Sequence, residues 1–268
     1  ERLGRAWGAI GHLNAVADSP ALRDAYNANM PKVVDLYTRM GADQRLFAKY
    51  KAVLADPRSA QLPAPRLRAL TNALRDFKLS GAELEGAARE RYAELQDLQA
   101  EIGQKFSEHV LDATDGYAYY ASAAEVDGMP DDVLQAARQA AEADGQPGYK
   151  LTLQYPRYLP VMQYARDRAL RERLYRANTT RASEFGPAAL DNGPLIRQLL
   201  ELRQEEAQLL GHASPADLSL VPKMATSPAQ VIGFLEDLGH RARPGALRDL
   251  TELREFARDE LGLSELQA

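Results

Sequence analysis

The chain has 268 residues, 45% of them apolar, and its 33 Lys and Arg stand against 38 Asp and Glu for a formal net charge of -5. That length and apolar content suffice for a packed interior, in one large domain or two modest ones. The lack of cysteine excludes disulfides, zinc fingers and cysteine nucleophiles and points to a reducing, cytoplasmic setting, while the mixed charge offers no basic field to draw in nucleic acid.

The first residues, "ERLGRAWGAIGHLNAVADS", lack the continuous apolar core and cleavage site of a signal peptide, and no apolar run approaches the length of a membrane span. Neither secretion nor a membrane partner is expected. The chain opens at Glu1 rather than methionine and closes at "LGLSELQA", just past an expected helix end, so both ends are expected to be cuts. "SPALRDAYNANM" puts a serine cap and a first-turn proline at a helix start, and apolar spacing resumes after Pro31 to Asp56. This predicts two helices, or one kinked at Pro31. "PRSAQLPAP" reads as a loop, and helical spacing returns from Arg66 to Leu79.

From Leu84 to Val110, Leu84, Ala88, Tyr92, Leu95, Leu98, Ile102, Phe106 and Val110 recur at spacings of three and four, one stripe along a long helix. Short strands are predicted near Tyr117 to Val126 and in "GYKLTLQY", where Leu151 and Leu153 alternate with polar residues. Between them lies a short helix with Pro130 and two aspartates at its start and Gly145 at its tail. A helix ends at Gly211, and one or two more follow from Ser227, with Pro244 as a kink or break. The predicted fold class is mainly α, long packed helices with a small two-stranded antiparallel β patch. No fixed period supports a solenoid.

Four histidines, His12, His109, His212 and His240, are followed four residues on by Val16, Ala113, Ala216 and Pro244. None therefore forms the His-Glu-x-x-His pair that places two imidazoles and a carboxylate on one helix face. His109, beside the apolar stripe, reads as a hydrogen-bonded structural histidine. Neither G-x-S-x-G nor a phosphate loop is present, and acid pairs such as Glu205 with Glu206 read as solvated helix faces. Motifs alone assign no active site.

Four segments, "HLNAVADSPALRDAY", "NALRDFKLSG", "EHVLDAT" and "YLPVMQYARDRALRERLYRANTTRAS", resemble in order and spacing the N-terminal portion of the thimet oligopeptidase family of zinc metallopeptidases. The resemblance continues through "QLLG", "KMATSPAQVIGFL" and "RARPGALRDLTELREFA", covering essentially the whole chain. It implies an elongated helical enzyme split by a narrow channel that admits short peptides and refuses folded proteins. It also implies hydrolysis by a zinc-bound water, with a glutamate as base. The family's zinc motif lies downstream of the matched region, so no catalytic or metal residue carries over. Zinc is expected in the full-length enzyme and none in this chain, whose partners would be the missing C-terminal catalytic portion and, in the full enzyme, short peptides. Alone it is expected to be inactive and to self-associate. The alternative is a self-standing helical binding or interaction module without metal chemistry.

Residues 158 to 183 carry six arginines and three tyrosines against two acids. Read as one helix, the stretch has two favourable i,i+4 pairs, Asp167 with Arg171 and Glu172 with Arg176, each worth roughly 0.3 to 0.5 kcal/mol. Leu170, Leu174 and Ala177 form its expected buried edge. The plainer reading is a helix wet on one side, its arginines lying over apolar surface. The functional reading places Tyr158, Arg176 and Arg181 on the channel wall, where an arginine's planar fork could bind a peptide carboxylate.

Overall fold

A computed structural model describes residues 2–266. Helix dominates: α1 (Arg2–Val16), α2 (Pro20–Gly41), α3 (Gln44–Ala55), α4 (Ala64–Leu79), α5 (Gly86–Asp115), α6 (Asp131–Ala143), α7 (Tyr155–Tyr164), α8 (Arg168–Thr179), α9 (Gly193–Leu209), α10 (Pro215–Leu220) and α11 (Pro228–Asp259). The strands β1 (Tyr119–Ala121) and β2 (Tyr149–Leu151) make one antiparallel pair in the register Tyr119 to Leu151 and Ala121 to Tyr149. The mainly α class with a small β patch is thus observed. No helix among the described residues is long and apolar enough to cross a membrane.

The chain divides into two compact units, one of the residues up to Ala42 with Leu84–Glu205, the other of Asp43–Glu83 with the residues from Glu206 onward. In the first, α2 packs along α1 and α5, and Trp7 stacks on Tyr26 with ring centroids 4.6 Å apart. The stripe of α5 is buried most deeply at Tyr92 and Leu95. The core lies around the strand pair, where Val126, Leu151, Val161, Leu170 and Leu174 are sealed together by α6, α7 and α8. In the second unit α3 packs on α4 through Phe47, Tyr50 and Phe77.

Local chemistry explains most boundaries. Ser19 and Ser227 cap α2 and α11 by accepting from the amides of Leu22 and Gln230, three residues on. Asp131 and Asp132 occupy the first turn of α6, and Gly145 (φ 68°) takes the left-handed conformation past its end. The strands are shorter than predicted: β2 stops at Leu151 and α7 begins at Tyr155, where Pro156 favours a first turn. Gly148 permits the pairing, since at φ 88° a Cβ would stand 2.3 Å from the Ala121 carbonyl oxygen.

Neither Pro31 nor Pro244 breaks its helix; α2 and α11 run through them. An interior proline costs one amide bond, and the turns on both sides of each remain helical. The helix α1 was not anticipated, because three glycines within eight residues blur its apolar spacing. The stretch 158–183 is not one helix but falls in α7 and α8, with a break at 165–167. The Asp167 carboxylate causes it, accepting from the amides of Ala169 (2.8 Å) and Leu170 (3.3 Å) as the cap of a new helix.

Candidate functional site

Capping removes Asp167 from the pairing expected with Arg171. Instead the Arg171 guanidinium donates to the carbonyls of Ala165 (2.5 Å) and Arg166 (3.2 Å), satisfying the end of α7. The second expected pair forms, Arg176 Nε to Glu172 Oε1 at 2.9 Å, with both side chains largely exposed. Leu170 and Leu174 are fully buried as anticipated. Arg166 reaches Asp127 (3.2 Å), and Arg173 lies over the Tyr119 ring, 4.6 Å from its centroid.

Of the three proposed wall residues, Tyr158 and Arg181 come together and Arg176 stands apart on the exposed face of α8. Tyr158 packs against the core, and burial raises its phenol above the ordinary range, offset in part by a hydrogen bond with Asn178 and by the positive charge of Arg181. Arg181 spends two donors on the protein, Nε to the Asn178 carbonyl (3.0 Å) and Nη1 to Thr114 Oγ1 (2.9 Å). It lines a cavity of about 300 Å³ with Tyr117, Leu153, Phe185 and Leu190. Burial raises the Tyr117 phenol as well.

One wall of that cavity is the loop after α8. Ala182, 7% exposed, has φ 48°, a left-handed conformation that costs an alanine energy and persists only when its surroundings fix it. Asn192 supplies the fixing. Its amide nitrogen donates to the Ala182 carbonyl (3.0 Å), its side-chain nitrogen donates to the Phe106 carbonyl (3.1 Å), and its Oδ1 lies 2.8 Å from His109 Nδ1. Thus His109 is a hydrogen-bonded structural residue, as its sequence context predicts, and the loop is tethered to α5.

A second cavity of about 660 Å³ runs between α2 and α5, lined by Asn27, Glu101, Gln104, Glu108, His109 and Asp112 among others. Two of its acids are engaged: Glu108 accepts from Asn27 (2.7 Å) and Gln104 (3.0 Å), while Asp112 pairs with Arg23 (2.7 Å), which also binds Asp18. Hydrogen bonds to Asp112 first and Asp18 second hold the Arg23 guanidinium well above its ordinary range. Sequence reasoning missed this network, since 89 residues separate Arg23 from Asp112. Among the described residues, no three His, Cys, Asp or Glu side chains converge as a metal would require.

Comparison with known proteins puts this geometry in context. A sequence model described as "Neurolysin/Thimet oligopeptidase, N-terminal domain" matches residues 1–89, and one described as "Peptidase family M3" matches 161–268. The chain is 45% identical to oligopeptidase A of Salmonella typhimurium over 268 residues, 99% of this chain and 39% of that protein. It is 44% identical to oligopeptidase A of Escherichia coli over the same shares. A probable cytosolic oligopeptidase A of Arabidopsis thaliana is 36% identical over 97% of this chain and 38% of its own length. The chain therefore spans about two fifths of the length of these relatives.

Proposed function

We propose, since this chain belongs to peptidase family M3, that it forms the N-terminal helical part of a zinc-dependent oligopeptidase that hydrolyses short peptides. The observation that carries the proposal is the 45% identity to an oligopeptidase A across 99% of the chain. Residues outside this chain would hold the zinc, which when bound supplies a Lewis acid and an activated water. This chain's contribution is shape: helices forming one wall of a channel that admits flexible peptides and excludes folded proteins, with Tyr158, Arg176 and Arg181 among the wall residues. The enzyme works in the cytoplasm, which accords with the cysteine-free composition and with the plant relative named a probable cytosolic oligopeptidase A.

The bare side of α11 supports a missing partner. Phe234, Leu235, Leu238, Leu253 and Phe256 are each more than half exposed, an unusual load for a surface helix. In the full enzyme this face packs against the catalytic portion; without it, copies of the chain associate. Two assays test the proposal. The isolated chain should not cleave a quenched fluorescent peptide, with or without added zinc. A hybrid in which it replaces the corresponding segment of the Salmonella oligopeptidase A should. Turnover that co-purifies with the isolated chain would contradict the reading.

A further inference from the structure

We propose that the cavity beside Arg181 is a carboxylate-binding subsite, taking a carboxylate on its guanidinium and the neighbouring apolar side chain against Tyr117, Leu153, Phe185 and Leu190. That the carboxylate arrives on a peptide rests on the peptidase reading; the preference for a carboxylate does not.

Three observations carry it. First, Arg181 is a half-buried cation with no carboxylate partner among the described residues. Its bonds to Asn178 and Thr114 use two of five N–H donors, and both acceptors are neutral. Of the other five arginines of the same stretch, four are otherwise engaged, Arg166 and Arg176 by acids, Arg171 by helix-end carbonyls and Arg173 by an aromatic ring, and the fifth, Arg168, is exposed on the first turn of α8 rather than set at a cavity. The two bonds hold the fork in place and leave its remaining edge to accept a ligand, the arrangement that makes arginine selective for carboxylates.

Second, the cavity volume of about 300 Å³ lies at the lower end of small-ligand sites and fits one amino-acid residue. Asp112 also lines it, but that carboxylate is paired with Arg23 (2.7 and 3.0 Å), so it does not cancel the charge of Arg181. Third, the rim is built. Phe185 is 77% exposed although it lines the cavity, and the loop carrying it is pinned by the left-handed Ala182 and its bond from Asn192. An exposed phenylalanine on a fixed loop at the mouth of an apolar cavity supplies a ring for a ligand side chain to cover.

The test is calorimetric or ligand-observed NMR titration of the 268-residue chain with small probes. N-acetylphenylalanine presents a terminal carboxylate beside a ring, N-acetylphenylalanine amide removes the charge, and N-acetylaspartate N-methylamide presents a side-chain carboxylate. The terminal acid should bind about tenfold or more tightly than its amide. Arg181→Met should erase that difference with helix content unchanged, and Phe185→Ala should weaken the aromatic acid several-fold. Tighter binding of the aspartate probe would assign the site to acidic side chains, and of the phenylalanine acid to peptide C-termini; both support a carboxylate subsite. Equal binding of acid and amide, no binding of either, or an unchanged preference in Arg181→Met would overturn it. Should Arg181→Met fail to fold, Phe185→Ala decides: unaltered affinity in that variant places the acid elsewhere and refutes the proposal. A negative result here leaves peptide hydrolysis by the hybrid enzyme untouched, so the two readings fail separately.

Discussion

Asn192 shows how much a single buried polar residue can organise. It is 2% exposed, and its backbone and side chain together join Ala182, Phe106 and His109. Asn192→Ala removes from a buried position the bonds to the Phe106 carbonyl and the His109 ring, and such losses cost about 1 to 3 kcal/mol. Urea unfolding should show that drop, whereas Ala182→Gly, which relieves the left-handed backbone, should be tolerated. Glu125 makes a second residue-scale prediction. Its carboxylate accepts from the Tyr119 hydroxyl and from the amide and hydroxyl of Ser122, and these bonds hold it below the usual carboxylate range. Because the folded value is depressed, the stabilisation is present above the unfolded value near 4.5 and is lost as pH falls through the folded one. The difference in thermal midpoint between wild type and Glu125→Gln should therefore narrow from pH 7 toward pH 3. A gap independent of pH would show that the ionised carboxylate is not what stabilises the turn. These partnerships were illegible in the sequence where they span long separations. Arg166 with Asp127 and Arg173 with Tyr119 join residues far apart in the chain, while the local pair of Arg176 with Glu172 was readable from spacing alone.

Among the elements, legibility followed the strength of local signals. Serine caps, the acidic start of α6 and the stripe of α5 each placed a helix correctly, because short-range chemistry and burial agree there. The stretch 158–183 went wrong as a single helix because an aspartate four residues before an arginine reads equally as a pair or as a cap, and only the packing of α7 against α8 decides. The β pair depends on one backbone position. Gly148→Ala forces an L-residue into φ 88° and drives its Cβ toward the Ala121 carbonyl, so the loss should exceed the roughly 1 to 2 kcal/mol that left-handed backbone alone costs. Thermal unfolding of that variant checks it, and a change within error of zero would mean that the pairing contributes little. For α11, replacing Leu235 and Leu253, each 56% exposed, by lysine should reduce association of the isolated chain in light scattering while leaving the helical circular dichroism intact. A wild-type chain that is strictly monomeric at all concentrations would remove the motive for a partner on that face.

At the scale of the molecule, fold and site were legible to different degrees. Class and element order follow from periodicity, which is a local property repeated many times. A channel wall is a relation between distant surfaces, and of the three residues proposed for one from sequence, Tyr158 and Arg181 lie near one another. The likeness to oligopeptidase A supplies what periodicity cannot, the motive for the proposal that these helices shape access to a reaction carried out elsewhere. The central claim is that these residues can serve as the access-shaping part of such an enzyme. The most direct measurement is peptide hydrolysis by the hybrid carrying this chain in place of the corresponding part of the Salmonella oligopeptidase A, compared on a short fluorescent peptide and on a stably folded protein. The hybrid should cleave the peptide and leave the folded protein whole. A hybrid that folds and binds zinc yet cleaves no short peptide, or that digests the folded protein equally well, would contradict it.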